Sequence, residues 1–375
     1  MGSSRLNSRD VLDWDESDVR VRPNKRGSRP RTKDRPAHKS AIRGRVITVD
    51  RGRWSVVVAE GTVNERTLVA TRARELRRIA IVTGDFVDVV GDTSGKKDTL
   101  ARIVRLGERS CVLRRSADDT DPTERVVVAN ANQLVIVVAA ANPQPRTGFI
   151  DRAVVAAYDA GIEPILCVTK TDIRHPQELL DYYQRSGLRI VLSAASDGRA
   201  PSEEGAEGLT TGPVRELLGD LLGNVSVLLG HSGVGKSTLV NALTGAERAT
   251  GHVNSVTGRG RHTSSSALAL QPASDAGVEV PPGTWIIDTP GIRSFGLAHV
   301  SMQKVVEAFP DLAPGAVECP RGCAHTGDSS GCGITAYVAR GEAGPSGADR
   351  LASMRKLLAA PNQAGDDEKE LGSLT

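Results

Sequence analysis

Asn224 to Thr238 reads NVSVLLGHSGVGKST, and this stretch decides the fold. Val225 to Leu229 is a short apolar run, the mark of a strand buried within a sheet. It runs into Gly230-His231-Ser232-Gly233-Val234-Gly235-Lys236-Ser237, followed by Thr238, which fits G-x-x-x-x-G-K-[ST]. Leu239 to Leu243 then opens a helical pattern. Strand, glycine loop and helix together are the context a phosphate loop requires, and an ordinary strand-to-helix turn would not reproduce both motif and context. The glycines allow successive backbone N–H groups to turn inward as an anion nest. The helix N-terminus adds partial positive charge. Lys236 is the candidate contact to the β- and γ-phosphates, and the Ser237 hydroxyl is a candidate magnesium ligand.

Working outward toward the N-terminus, Gln133 to Ala140 is an almost wholly apolar run, expected of a strand covered on both faces. A helical segment follows around Ile150 to Ala160, then a second strand, Pro164-Ile-Leu-Cys-Val168. That strand ends in Thr169-Lys170-Thr171-Asp172, which resembles the guanine-reading N-K-x-D motif of GTPases. Asp172 would accept hydrogen bonds from N1–H and the 2-amino group of guanine, a donor pair that adenine lacks, and the Lys170 stem would cover the base. Thr169 stands where Asn is usual. Arg189 to Leu192 reads as a third strand, ending in Ser193-Ala194-Ala195; this resembles the loop that offers a backbone N–H to guanine O6. Residues 197–213 read as a surface loop, and Val214 to Leu222 as a helix leading back to the phosphate loop.

Downstream, Ala249 to Ser266 is polar and glycine-rich, and contains His262-Thr263. A segment of this kind between a phosphate loop and the next strand resembles switch I, in which the threonine ligates magnesium. Trp285 to Ile287 reads as a strand ending in Asp288-Thr-Pro-Gly291, which resembles D-x-x-G. Asp288 would hold magnesium, and the Gly291 N–H would meet the γ-phosphate. Ile292 occupies the place where many GTPases carry a water-orienting Gln, which turns attention to His262 as the catalytic group. The base motif precedes the phosphate loop, so the expected α/β sheet is circularly permuted.

Between Ala41 and about Arg115 five short runs alternate with turns: Gly44–Val49, Trp54–Ala59, Thr67–Ala70, Asp85–Val90 and Ala101–Leu106. Such spacing predicts a small β-barrel, OB-like or SH3-like. Arg43, Arg45, Arg51 and Arg53 gather about the first hairpin beside Trp54, a pairing of basic and aromatic groups suited to nucleic acid. The preceding arm carries eleven Lys/Arg between Arg20 and Arg45 against one acid, with prolines at 23, 30 and 36. It reads as a disordered segment able to bind phosphate backbones.

At 375 residues the chain has room for two or three domains, and at 39% hydrophobic it can bury a sizeable core. Only 3% of residues are aromatic, so Val, Ala and Leu must fill that core. Five cysteines are too few for a secreted disulfide scaffold of this size, and MGSSRLNSRD has no apolar signal core. The longest apolar run, Leu134 to Ala141, falls short of the ~20 residues of a membrane span. These features predict a cytoplasmic protein with no membrane association, read as a monomer. Near the C-terminus Ser301 to Phe309 is helical, and Cys319, Cys323, His325 and Cys332 lie within fourteen residues. Three thiols and one imidazole can close a tetrahedral Zn²⁺ site of structural type. A helix over Ala348 to Ala359 and an acidic, disordered tail complete the chain.

Together these features resemble the ribosome small-subunit-dependent GTPase A family (RsgA, also called YjeQ), over about residues 41–345. The phosphate loop, the motif order and the Cys/His cluster carry the resemblance. Two departures are Thr169 and the spacing C-x3-C-x-H-x6-C, where C-x4-C-x-H-x5-C is expected. The resemblance implies a multidomain protein: a basic arm over 1–40, an OB-like β-barrel over 41–115, a circularly permuted α/β P-loop GTPase domain over 116–298, a helical zinc-binding domain over 299–360 and a tail over 361–375. It further implies hydrolysis of GTP to GDP with Mg²⁺, binding to the small ribosomal subunit and its 16S rRNA, and a role in late subunit maturation. It also points to His262 as catalytic. Two other readings are a P-loop ATPase, which Asp172 opposes, and an RNA-binding module that holds GTP without turnover.

Overall fold

Five strands, β1 (Ile42–Asp50), β2 (Arg53–Val58), β3 (Arg66–Arg72), β4 (Phe86–Gly91) and β5 (Ala101–Leu106), close a barrel in the order β1-β2-β3-β5-β4-β1. All neighbours are antiparallel except β3 and β5, which is the OB arrangement. In this computed structural model the described residues are 38–116, 124–194, 212–245, 267–273, 278–289, 297, 299–327 and 329–359. The arm and tail expected at the two termini lie almost wholly outside them. Alternation builds the barrel: Trp54, Val56 and Val58 face inward against Val46, Leu68, Val87 and Ile103. Asp50, Arg51 and Gly52 form the first hairpin turn, with φ of +43° at Arg51 and +81° at Gly52.

Two expectations from the sequence change here. Trp54 is not a stacking platform: it is 4% exposed and its Nε1 donates to the Ile81 carbonyl at 3.1 Å. Arg45 is likewise buried, with its guanidinium 4.4 Å over the Phe86 ring and paired with Glu60 at 3.2 Å. Trp54 lies on the inward phase of β2, whereas Arg45, next to inward-facing Val46, lies on the opposite face of β1 and is covered there by Phe86 and Glu60, so of the four arginines only Arg43, Arg51 and Arg53 are exposed.

A hairpin, β6 (Val112–Ser116) and β7 (Glu124–Ala129), leads from the barrel into a second sheet. Its strands are β8 (Gln133–Ala139), β9 (Glu163–Thr169), β10 (Arg189–Leu192), β11 (Val225–Leu229), β12 (Leu268–Leu270) and β13 (Trp285–Asp288), in spatial order β10-β9-β8-β11-β13-β12. All are parallel except the edge strand β12. The phosphate-loop strand β11 thus sits between β8 and β13, although β8 to β10 precede it in the chain. Every residue of β8 is buried, because helices and the barrel cover both faces. Leu134, Ile136 and Val138 meet α1 (Thr147–Asp159). Val135 and Val137 meet α3 (Gly212–Leu221) and α4 (Lys236–Thr244). Cys167 is a fully buried core residue and Cys111 a half-buried one.

The barrel and this sheet are one continuous hydrogen-bonded surface, because β1 also pairs with β12, Thr48 opposite Leu268. A bulge between Val46 and Thr48 bends β1 away from β4, which it pairs only over Ile42–Arg45. The C-terminal module comprises α5 (Met302–Glu307), a 3-10 turn over Ala313–Glu318, α6 (Gly333–Ala339) and α7 (Gly347–Ala359). Phe309, Leu312, Ile334, Leu351 and Met354 fill its own core, joined by Val155 of α1. The sequence reading did not anticipate β12, α6, the β6–β7 hairpin or α2 (Gln177–Tyr183), all of them short.

Candidate nucleotide site and metal centre

The phosphate loop is shaped by contacts that exclude side chains. A Cβ on Gly230 would stand 2.6 Å from the Val137 carbonyl oxygen, so only glycine lets the loop leave β11 this close to β8. Gly233 and Gly235 have φ of +83° and +89°, and Gly235 is the N-cap of α4. Val234 between them is buried, whereas Ser237 and Thr238 in the first turn of α4 are exposed. The helix therefore presents its N-terminal N–H groups and two hydroxyls toward solvent, where an anion can reach them.

The base loops are tied to this phosphate loop by Thr169 and Lys170. Thr169 is buried at the end of β9, and its hydroxyl lies between two backbone acceptors, the Val234 carbonyl of the phosphate loop and the Val138 carbonyl of β8. It thus clasps the end of β9 to the phosphate loop. Lys170, at φ +57°, donates through Nζ to the Gly233 carbonyl at 2.7 Å and to the Asn142 carbonyl. The backbone N–H and hydroxyl of Thr171 both donate to the Ser193 carbonyl, at 3.2 and 3.1 Å. Asp172 itself is exposed. So the ends of β9, β10 and β11 bring Thr169–Asp172, Ser193–Ala194 and Gly230–Thr238 into one cleft wall, at the carboxyl edge of a parallel sheet.

Asp288 ends β13 next to that wall and is 4% exposed. Its carboxylate forms an ion pair with Lys236 Nζ, so each buried charge neutralises the other. A phosphate at this loop would offer Lys236 an alternative partner and free an Asp288 oxygen. With the exposed Ser237 hydroxyl, that makes an all-oxygen donor set suited to a hard divalent cation. His262, Thr263 and Gly291 lie outside the described residues, as does Ile292.

The Cys/His cluster is assembled. The ligand atoms of Cys319, Cys323, His325 and Cys332 all lie within 4.8 Å of one another, so the cluster could hold a metal ion. Cys319 Sγ is 3.5 Å from His325 Nδ1 and 4.0 Å from Cys332 Sγ. Tetrahedral bonds of ~2.3 Å to sulfur require donor separations of ~3.8 Å, so the set fits with little movement. The backbone supports thiolates: Gly333 N donates to Cys319 Sγ at 3.2 Å and His325 N to Cys323 Sγ at 3.4 Å. Burial pushes the Cys332 thiol up, but hydrogen bonds from Thr335 and His325 outweigh it and bring it down to about 6. Arg355 Nε braces the loop by donating to the His325 carbonyl at 3.1 Å.

A second assembly was not foreseen from the sequence. Arg350 of α7, 2% exposed, pairs with Asp151 of α1 at 2.6 Å and forks onto both oxygens of Asp311 at 2.9 and 3.0 Å. Its guanidinium lies 4.4 Å over the Phe309 ring. Asp151 also accepts from the Tyr182, Tyr183 and Ser353 hydroxyls. Burial raises its carboxyl above the usual range against the pull of Arg350. The one available signal was an acid within the largely apolar stretch Phe149-Ile-Asp-Arg-Ala-Val-Val-Ala-Ala157, without any indication of its partner.

The barrel carries a third feature. Arg51 and Arg53 at the β1–β2 tip, Arg72 at the end of β3, and Arg74, Arg77 and Arg78 just beyond it are all exposed. The pairing of Asp50 with Arg53 and of Trp54 with Ala70 brings these segments to one end of the barrel.

Residues 106–298 match the family model described as RsgA GTPase. The chain is 35% identical over 289 residues to the small ribosomal subunit biogenesis GTPase RsgA of Pseudomonas aeruginosa strain LESB58, covering 75% of this chain and 76% of that one. A relative of the same name from Chlorobaculum parvum is 31% identical over 327 residues, covering 84% and 97%. Among solved structures, the crystal structure of YjeQ from Thermotoga maritima is similar with a TM-score of 0.59 and 22% identity, covering 85% of this chain and 99% of that one.

Proposed function

Because this chain belongs to the RsgA GTPase family, whose members hydrolyse GTP in ribosome biogenesis, we propose that it binds the small ribosomal subunit and hydrolyses GTP to GDP and phosphate late in the maturation of that subunit, stimulated by it. The observation that carries the reading is the clasp of Thr169 and Lys170. It holds the base loops against the phosphate loop, so one nucleotide can touch both.

In this mechanism Asp172 reads N1–H and the 2-amino group of guanine, and the Ser193–Ala194 loop supplies a backbone N–H to O6. Backbone N–H groups from Gly233 to Thr238 and the Gly291 N–H cradle the phosphates. Lys236 leaves Asp288 for the phosphate oxygens. Ser237, Thr263 and Asp288 hold Mg²⁺, which when bound neutralises charge developing on those oxygens. Ile292 cannot orient water, so the unaided reaction is slow. His262 performs that task when the subunit is bound. The four ligands Cys319, Cys323, His325 and Cys332 leave no open position, so they hold a structural Zn²⁺. The six arginines at the barrel end contact 16S rRNA phosphates together with the basic arm. The protein acts as a cytoplasmic monomer divided at about residues 40, 115, 298 and 360. No helix among the described residues is long and apolar enough to cross a membrane.

The test is single-turnover GTP hydrolysis with and without purified small subunits, with ATP as competitor. Strong stimulation, no competition by ATP, and loss of stimulation by ~10²–10⁴-fold in His262→Ala are expected. Equal competition by ATP would move the protein to the ATPases. Bound GTP without turnover, even with subunits, would leave a binding module.

A further inference from the structure

The barrel does not merely sit beside the nucleotide domain; its contacts converge on one hairpin. Leu268 of β12 pairs on one edge with Thr48 of the barrel and on the other with Asp288, the carboxylate that neutralises Lys236. Thr48, Leu268 and Asp288 are thus consecutive rungs. At ~4.8 Å per strand the barrel backbone lies about 10 Å from the Asp288 backbone. The Thr83 hydroxyl, in a buried residue ahead of β4, donates to the Ala267 carbonyl at 2.9 Å. Glu60, in the turn after β2, accepts from Trp285 Nε1 at 2.5 Å on one oxygen and from Arg45 Nε at 3.2 Å on the other. Trp285 begins the strand that Asp288 ends. A Cβ on Gly61 would stand 2.6 Å from the Pro282 side chain, so this turn is also in direct contact with the hairpin. Val57 of β2 completes the contact by packing in the core that contains Trp285 and Ile287.

We infer that β12–β13 is a two-way relay between barrel and nucleotide site, with Glu60 and Thr83 as the positioning residues on the barrel side. This rests on the reading of the cleft as a GTP site. A shift of Asp288 as Lys236 changes partner moves the Leu268 rung, and with it the rung at Thr48. A shift of Trp285 drags the Glu60 carboxylate beneath the buried Arg45. Packed β-structure transmits such displacements because it cannot absorb them locally. Reciprocity follows: whatever the barrel binds alters nucleotide affinity by the same factor by which nucleotide alters the barrel's affinity. The partner that fits such a barrel is a phosphate backbone, so RNA engagement is communicated to the nucleotide through a path separate from the C-terminal module.

The experiment measures amide hydrogen exchange of residues 42–58 in the full chain, saturated first with GDP and then with a non-hydrolysable GTP analogue; fluorescent-nucleotide titration verifies occupancy. We expect exchange over β1 and β2 to differ between the two states by about threefold or more. In Thr83→Val combined with Trp285→Phe, which removes two donors and leaves the Glu60–Arg45 pair and the Thr48–Leu268 rung, the difference should fall by about half or more while both nucleotides still bind. Identical exchange in the two occupied states of the unmodified chain would overturn the relay and spare the nucleotide site. A full difference persisting in the double variant would overturn it as well. Failure of either nucleotide to bind the unmodified chain would overturn the nucleotide site and the relay together.

Discussion

The two modules that flank the central sheet are attached by opposite chemistry. The barrel joins by backbone pairing between β1 and β12, supplemented by neutral or singly charged hydrogen bonds at Thr83 and Glu60. The C-terminal module joins through buried charge: Arg350 between Asp151 and Asp311, roofed by Tyr182, Tyr183 and Phe309. Backbone pairing tolerates changes of side chain and hands displacement from strand to strand. A buried ion cluster tolerates little, because each charge is held out of water only by the others. The difference teaches that one junction is built to communicate and the other to hold, and three perturbations can break or sharpen that contrast.

The largest effect is expected from the metal centre. Cys323→Ser, or a strong chelator, removes a ligand from the cluster that ties the loop before α6 to Cys319 and Cys332. Structural zinc contributes ~10–16 kcal/mol in small zinc-finger peptides, and the separate core about Phe309 and Met354 will retain part of this module's order. Limited proteolysis should open residues 313–340. Exchange should rise in α1 and α2 as α7 loosens its hold on Asp151, and stay unchanged in β1 to β5. Barrel exchange rising in step with α1 would show that the two junctions are not independent.

The next effect is Arg350→Leu. It leaves two carboxylates buried without their counter-charge, a loss of ~3–5 kcal/mol. Thermal unfolding should fall by the order of 10 °C. Adding Asp151→Asn and Asp311→Asn should recover part of that loss, because the uncompensated charge then disappears. A single-variant loss below ~1 kcal/mol would remove the contrast, leaving both junctions weak and adaptable.

These two sites also mark where sequence reading succeeds and where it ends. Gly230 to Ser237, Thr169 to Asp172 and the four metal ligands were legible because each chemistry is carried by neighbours along the chain, with spacing set by a single loop. Buried strands β8, β9, β11 and β13 were legible as unbroken apolar runs. Arg350 and Asp151 are 199 residues apart, and nothing local in either helix names the other. Trp54 and Arg45 were misread as surface groups because a tryptophan amid arginines looks the same in one dimension whether the ring stacks on a ligand or plugs a barrel. The clasp made by Thr169 was hidden for a related reason: its hydroxyl meets the Val234 carbonyl, 65 residues away. Short β12 escaped notice because it has only three residues and one of its partners, β1, comes from the far end of the chain.

The smallest effect should come from Thr83→Val, and it is the sharpest test of how the barrel is held. The substitution keeps volume and branching and removes only the hydroxyl that donates to Ala267 at 2.9 Å. A neutral hydrogen bond contributes ~0.5–1.5 kcal/mol, and a carbonyl left unmet in a buried place costs ~1–3 kcal/mol. Ala267 is 7% exposed, so its carbonyl has little access to water, and a loss of ~1–2 kcal/mol is expected. Because the pairing of Thr48 with Leu268 and the Glu60–Trp285 bond remain, that loss should appear as faster exchange at Ala267 to Leu270 and at Thr83 to Asp85 only. Denaturant unfolding would give the total, and exchange its location. If the loss instead reached the 3–5 kcal/mol expected of Arg350, with barrel and sheet separating together, the backbone pairing would be carrying little of the junction. Attachment by a few decisive side chains would then be common to both modules.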